Sequence, residues 1–180
     1  MANQQIILVI INVLGGTAVI GSYIYGFVTN PGSGNALWGG VTGWLRSAYG
    51  ISMILAALGY FAFVYFILFR INPSEIQIAG RFDFSLFYYL FIGILLPSAV
   101  WMPLTHAMVS NPSSTLWIWI RIVLIVVGIA SCALVWALLS LQPKETGMLY
   151  WLAVAGSAYF AFHTAVLDML LWPALFRIQS

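Results

Sequence analysis

The sequence predicts an all-α integral membrane protein, a single bundle of five transmembrane helices. Three observations carry that reading. Of the 180 residues, 63% are hydrophobic and only 6% are charged, with a mean hydropathy of +1.02. The apolar residues gather in five runs long enough to cross a bilayer, and nearly all turn formers fall between them. A soluble domain of this size carries far more charge. The runs are continuous and not built of roughly ten-residue alternating strands, which excludes a closed β-barrel.

In chain order the spans run from about Gln5 to Val28, Ser47 to Phe69, Phe84 to Val109, Leu116 to Leu141 and Met148 to Trp172. The first follows a start with no positive region and is too long for a secretory signal core, so it is expected to remain as a helix. The connections hold Asn30-Pro31-Gly32-Ser33-Gly34-Asn35, Asn72-Pro73-Ser74, Ser110-Asn111-Pro112-Ser113-Ser114 and Gln142-Pro143-Lys144-Glu145. With connections this short, residues 1–180 form one membrane domain and no soluble one. Most tryptophans fall near span ends, where an aromatic belt accounts for them. Cys132, the only cysteine, lies inside a span and leaves neither an internal disulfide nor a cysteine zinc site.

The fifth span carries the densest information. Ala153, Ser157, Ala161 and Ala165 recur every fourth residue, a narrow face for close helix packing. At about 100° per residue, Asp168 falls about 20° from that face and should point into protein, whereas His163, with Tyr159 one turn before it, falls on the opposite side. Small residues recur elsewhere too: Ala18, Ser22 and Gly26; Ser52 and Ala56; Gly128 and Cys132. Helix packing is their first explanation.

An ionisable residue inside a span is a functional-site hypothesis by default. Because successive spans alternate in direction, the ends of the third and fifth and the start of the fourth share one membrane face. His106, Arg121 and Asp168 are therefore expected at similar depth. On the third span Tyr88, Ala99, Met102 and His106 share a helical face, and on the fourth Arg121 shares one with Gly128 and Cys132. Either these groups form an ion-paired cluster that locks the helices, or they line a ligand site, or Arg121 and His106 snorkel to the interface. The first loop, Asn30 to Leu45, brings Trp38, Trp44 and several glycines to the same face, as a flexible aromatic flap over a polar mouth. Charge specifies orientation weakly: Arg70, Arg81 and Lys144 share the N-terminal side, against Arg46 and Arg177 opposite, with a slight lean to a cytoplasmic N-terminus.

Three stretches resemble the TspO/MBR family, the translocator proteins or tryptophan-rich sensory proteins. Trp44 followed by Tyr49-Gly50 and Ala56-Ala57-Leu58-Gly59-Tyr60 resembles that family's second helix. Trp101-Met102-Pro103 resembles its third-helix Trp-x-Pro, and Ala158-Tyr159-Phe160-Ala161-Phe162 with Leu167-Asp168 its fifth-helix aromatic run followed by Leu-Asn. Two features depart from the pattern: the first loop has only Pro31 where paired prolines are usual, and Asp168 replaces the Asn. The resemblance implies a tetrapyrrole- or sterol-binding membrane protein, often a homodimer, with a pocket under the first loop.

Other chemistries fit less well. No serine spacing nominates a Ser-His-Asp triad around His106 or His163. Bis-histidine haem ligation by these two requires equal depth, which they lack by roughly 10 Å. A retinal Schiff base needs a lysine in a span, and Lys144, the only lysine, is in a loop. Too few carboxylates and histidines lie in spans for zinc or di-iron chemistry, and the small excess of base excludes nucleic acid as a partner. The expected function is binding of a hydrophobic or amphipathic small ligand (a tetrapyrrole or a sterol- or lipid-like molecule) by Trp38, Trp44, Trp101, His106, Arg121, Asp168 and Trp172. The alternative is a non-catalytic subunit packed inside a larger respiratory or photosynthetic membrane complex.

Overall fold

The computed structural model describes residues 2–176. Arg177, counted above in the charge comparison, lies outside the described residues. Five helices are long and apolar enough to cross a membrane: α1 (Asn3–Thr29), α3 (Gly43–Phe69), α4 (Leu86–Ser110), α5 (Ser114–Leu139) and a fifth continuous span, Met148–Leu175. The chain is thus a multi-pass, five-helix membrane protein. The helices overrun the hydropathy-based limits by a few residues at several ends. Hydropathy marks the hydrocarbon-facing part of a helix, while turns such as Gly43 to Arg46 continue into the polar interface.

The fifth span is not one uniform helix. It begins as α6 (Met148–Ala161), continues as a ten-residue π-helical segment (Phe162–Leu171) and ends as α7 (Trp172–Leu175). A short α2 (Gly34–Trp38) sits in the first loop. In the second, β1 (Gln77–Ile78) pairs antiparallel with β2 (Leu141–Gln142), a link the sequence reading did not anticipate. Gln5 ties the start of α1 to that end of the bundle by donating from Nε2 to the carbonyls of Leu68 and Ile71. Ser113 caps α5 by accepting from the Leu116 amide.

Helix neighbours follow from where small residues permit close approach. Gly15 and Gly26 bring α1 onto Leu95, Met102 and His106 of α4; Gly93 meets Ala130 of α5; Gly128 meets Ala165 and Met169 of the π segment. Gly59 of α3 and Gly156 of α6 face each other backbone to backbone. The predicted ladder is a packing face: Ala153, Ser157 and Ala161 are buried and Ala165 lies against Gly128. Ser52, Ala56 and Gly128 are buried as expected, whereas Ala18 and Cys132 are exposed. The ring of contacts therefore runs α1, α4, α5, fifth span, α3. It does not close, because α3 and α1 scarcely touch.

Core packing divides in two. Phe63, Phe84, Phe87, Phe91, Leu134 and Tyr150 anchor the half nearer the second loop. Val41, Tyr49, Met108, Ile120, Leu124 and Trp172 anchor the half under the first loop. Trp44, Trp119 and Trp151 are exposed near span ends, the positions an aromatic belt requires.

Candidate ligand cavity

The gap between α1 and α3 opens into a cavity of about 680 Å³. Val9, Val13, Gly16 and Ile20 of α1 form one wall and Ala57, Phe61 and Val64 of α3 the other, with Ile94 and Leu95 of α4, Val123 and Val127 of α5 and Phe160 of the fifth span behind them. From Val9 to Tyr23 the slot follows about 21 Å of helix. At its inner end the hydroxyl of Tyr60 donates to Asn12 Oδ1 at 2.6 Å, bridging α3 to α1. Its other end is polar, with Tyr23, Ser98, Trp101, His163 and Asp168 among the lining residues.

That polar end exists because the fifth span changes winding. On an α-helix residues five apart diverge by about 140°, which put His163 and Asp168 on different faces in the sequence reading. The i→i+5 pattern of a π-helix instead stacks them. His163 Nε2 lies 3.5 Å from Asp168 Oδ2. On its other side His163 Nδ1 lies 2.9 Å from Ser52 Oγ, which accepts from the Tyr159 hydroxyl at 3.2 Å. The Tyr49 hydroxyl donates to the Leu167 carbonyl inside the π segment, and its ring stands edge-on to His163. His163, expected to lie apart, is thus a member of the site, and Asp168 does point inward. The side chain of Asp168 keeps 29% of its surface accessible at the cavity.

No family model, curated protein or solved structure matches the chain.

Two other members of the expected cluster do not reach Asp168. Arg121 is exposed; the inward positions at its depth are Ile120 and Leu124, packed toward Trp172. Among the described residues the one close contact between a basic and an acidic side chain is His163 with Asp168. His106 is buried on the face of α4 that meets α1, against Gly26 and edge-on to Phe27. It shares its face with Met102 as expected, but that face looks at α1 and not into the cavity.

The aromatic residues divide as well. Trp101 lines the cavity, its indole Nε1 buried without a hydrogen-bond partner. Trp172 packs against Trp101 with ring centres 5.7 Å apart and donates from Nε1 to the Leu37 carbonyl at 3.0 Å. Trp38 stands edge-on to Tyr49 with the Arg46 guanidinium over its other surface, 5.1 Å from the ring centre. Trp44 points away, 80% exposed.

The first loop is accordingly a fastened cap and not a flexible flap. Besides the Trp172 bond, the Gly40 amide donates to Leu175 O at 2.9 Å and Arg46 to Asn35 Oδ1 at 2.9 Å. A Cβ on Gly40 would lie 2.4 Å from Leu175 O, so this contact requires glycine. A second recess beneath the loop, of about 630 Å³ and bounded by Asn35, Gly39, Thr42, Met108, Pro112 and Phe176, contains none of the seven candidate residues. No residue of the first loop lines the main cavity, which lies where α1 and α3 scarcely touch.

The order Ser52, His163, Asp168 resembles a nucleophilic triad, and the sequence offered no spacing that nominated Ser52. Its chemistry is different. Ser52 lies mid-way along α3, where neighbouring amides are committed to the helix and cannot form an oxyanion hole, and its hydroxyl is buried beneath Tyr159. The network holds a carboxylate at the end of an apolar cavity. In the sequence Asp168, an ionisable residue on the small-residue face of a span, signalled it, whereas His163 was set on the opposite side.

Proposed function

We propose that this protein binds a hydrophobic or amphipathic small molecule in the cavity between α1 and α3, taking it up laterally from the bilayer. The observation that carries the reading is the cavity itself: about 680 Å³, apolar along its length and polar at one end. Ligand sites for small molecules typically enclose roughly 300–1,000 Å³ with a few convergent polar groups. A helix pair that merely packed would close the gap, as Gly59 and Gly156 close the one between α3 and α6.

Between the two expected ligand classes, the polar end favours the sterol- or lipid-like one. Tyr60, Phe61, Phe160 and Trp101 offer faces on which a tetrapyrrole could stack. Its acidic side chains, however, would meet Asp168, a like charge, with no arginine or lysine among the lining residues. His163 Nδ1 is bonded to Ser52 and Nε2 faces Asp168 at 3.5 Å, and no group of three metal-ligating side chains occurs among the described residues. The resemblance to the translocator proteins agrees with a sterol-like ligand and belongs to the same proposal, as does a homodimer.

Titrating the purified protein with cholesterol and with protoporphyrin, following tryptophan fluorescence, tests this. Trp101 is the reporter, since no other tryptophan lines the cavity. Saturable binding of the sterol, with the signal lost in Trp101→Phe, is the expected outcome. A protein that cannot be isolated without a partner complex, and binds neither compound, would instead be the structural subunit.

A further inference from the structure

Among the described residues Asp168 is a carboxylate with no matching cation. It has two oxygens able to accept about four hydrogen bonds, yet its one close polar neighbour is His163 Nε2 at 3.5 Å, beyond the 2.7–2.9 Å usual for a charge-assisted bond. The fixed cations among the described residues are elsewhere. Arg121 is exposed and Arg46 lies over Trp38; Arg70, Arg81 and Lys144 belong to the opposite end of the bundle.

His163 need not carry a charge either. With Tyr159 donating to Ser52 Oγ, Ser52 can in turn donate to His163 Nδ1 in the tautomer that carries its proton on Nε2. That chain leaves a neutral imidazole with its remaining N–H directed at Asp168. From the other elements around the carboxylate come Tyr23 of α1, Tyr49 of α3 and Trp101 of α4, while α5 offers Val123, Leu124 and Val127. Among the described residues, the polar side chains named around Asp168 include no arginine or lysine. In a membrane interior an unpaired carboxylate is costly; a proton or a bound cation relieves that cost, and an ammonium group brings both charge and hydrogen-bond donors.

We infer that the cavity takes an amphipathic ligand bearing a protonated amine, its apolar body along the slot and its ammonium on Asp168. This rests on the cavity-binding reading and narrows the ligand class within it. The amine would satisfy the free carboxylate lone pairs, and the aromatic faces of Tyr23 and Trp101 beside it suit a cation as well.

The test uses two probes of nearly the same shape, 1-aminomethylpyrene and neutral 1-pyrenemethanol. Each is titrated into the full-length protein in nanodiscs of zwitterionic lipid, with empty nanodiscs subtracted, reading energy transfer from tryptophan to pyrene. The amine is expected to bind at least about tenfold tighter. Asp168→Asn is expected to erase that preference, bringing the two affinities within about threefold of each other, and thermal unfolding of the variant certifies its fold. Should Asp168→Asn fail to fold, Gly16→Leu, which fills the slot, replaces it: loss of both probes together assigns the amine preference to the cavity. Equal affinities in the wild type would overturn the amine inference and leave the cavity reading intact. A preference that survives in Asp168→Asn, or in Gly16→Leu, would overturn it too. If neither probe saturates, the cavity reading itself fails.

Discussion

Replacing Gly59 with alanine tests the helix arrangement at its tightest point. A Cβ on Gly59 would lie 2.5 Å from the carbonyl oxygen of Gly156, and one on Gly156 would lie 2.8 Å from that of Gly59. Ordinary contact begins at 3.4 Å, so α3 and α6 must part by about 0.9 Å. Both clashing partners are backbone, and no rotamer change can relieve them. Overpacking of this kind costs about 1–3 kcal/mol, against a helix-propensity gain of about 0.5–1 kcal/mol for alanine over glycine. The net loss is roughly 0–2.5 kcal/mol, a fall in Tm of up to several degrees for a chain of this size. Gly50, on the same helix, has nothing within 4 Å of its virtual Cβ. Gly50→Ala should therefore gain what Gly59→Ala loses. Thermal unfolding of both variants in detergent, followed by circular dichroism, reads the two signs. If Gly59→Ala were as stabilising as Gly50→Ala, the backbone contact between α3 and α6 would be wrong, and with it the seat of the Ser52–His163 bond two turns away.

Ser52→Ala removes the hydroxyl between Tyr159 and His163 and strands a buried ring nitrogen, so it should cost about 1–3 kcal/mol in the same assay. Arg121→Gln should change stability by no more than about 0.5 kcal/mol, because the side chain is exposed and unpaired among the described residues; a large loss would restore the ion-paired cluster. Asp83, in the second loop, accepts from the hydroxyl and, at 2.9 Å, the amide of Ser85, which hold its carboxyl below the ordinary carboxylate range. A depressed native pKa stabilises above the unfolded value of about 3.9 and loses that contribution as pH falls through the native one. Unfolding measured from neutral to acid pH should show a small acid-side loss that Asp83→Asn abolishes.

The five spans were legible because a bilayer demands long apolar runs, and composition alone announces them. The ladder Ala153, Ser157, Ala161 was legible for a related reason: close approach needs small residues at helical spacing. The pairing of His163 with Asp168 was not legible because it depends on the one segment where that spacing fails. Nothing in Phe162 to Leu171 announces π winding, yet only that winding places His163 beside Asp168. Arg121 was misplaced by a different limit. Sharing a helical face with Gly128 says nothing about which neighbour flanks the helix two turns away, and there Ile120 and Leu124 take the inward positions. Likewise, glycines and tryptophans in the first loop suggested a flap, but a carbonyl on Leu37 and an amide on Gly40 fasten it, and backbone bonds leave no mark in composition.

The central claim is that the slot between α1 and α3 receives a ligand. Filling it tests this most directly. Gly16 lines the cavity with nothing within 4 Å of its virtual Cβ, and Ala57 faces it from α3. Gly16→Leu and Ala57→Leu should each preserve or raise the Tm while abolishing saturable sterol quenching of Trp101 fluorescence. Binding that persists unchanged in both folded variants would place the ligand elsewhere and contradict the account.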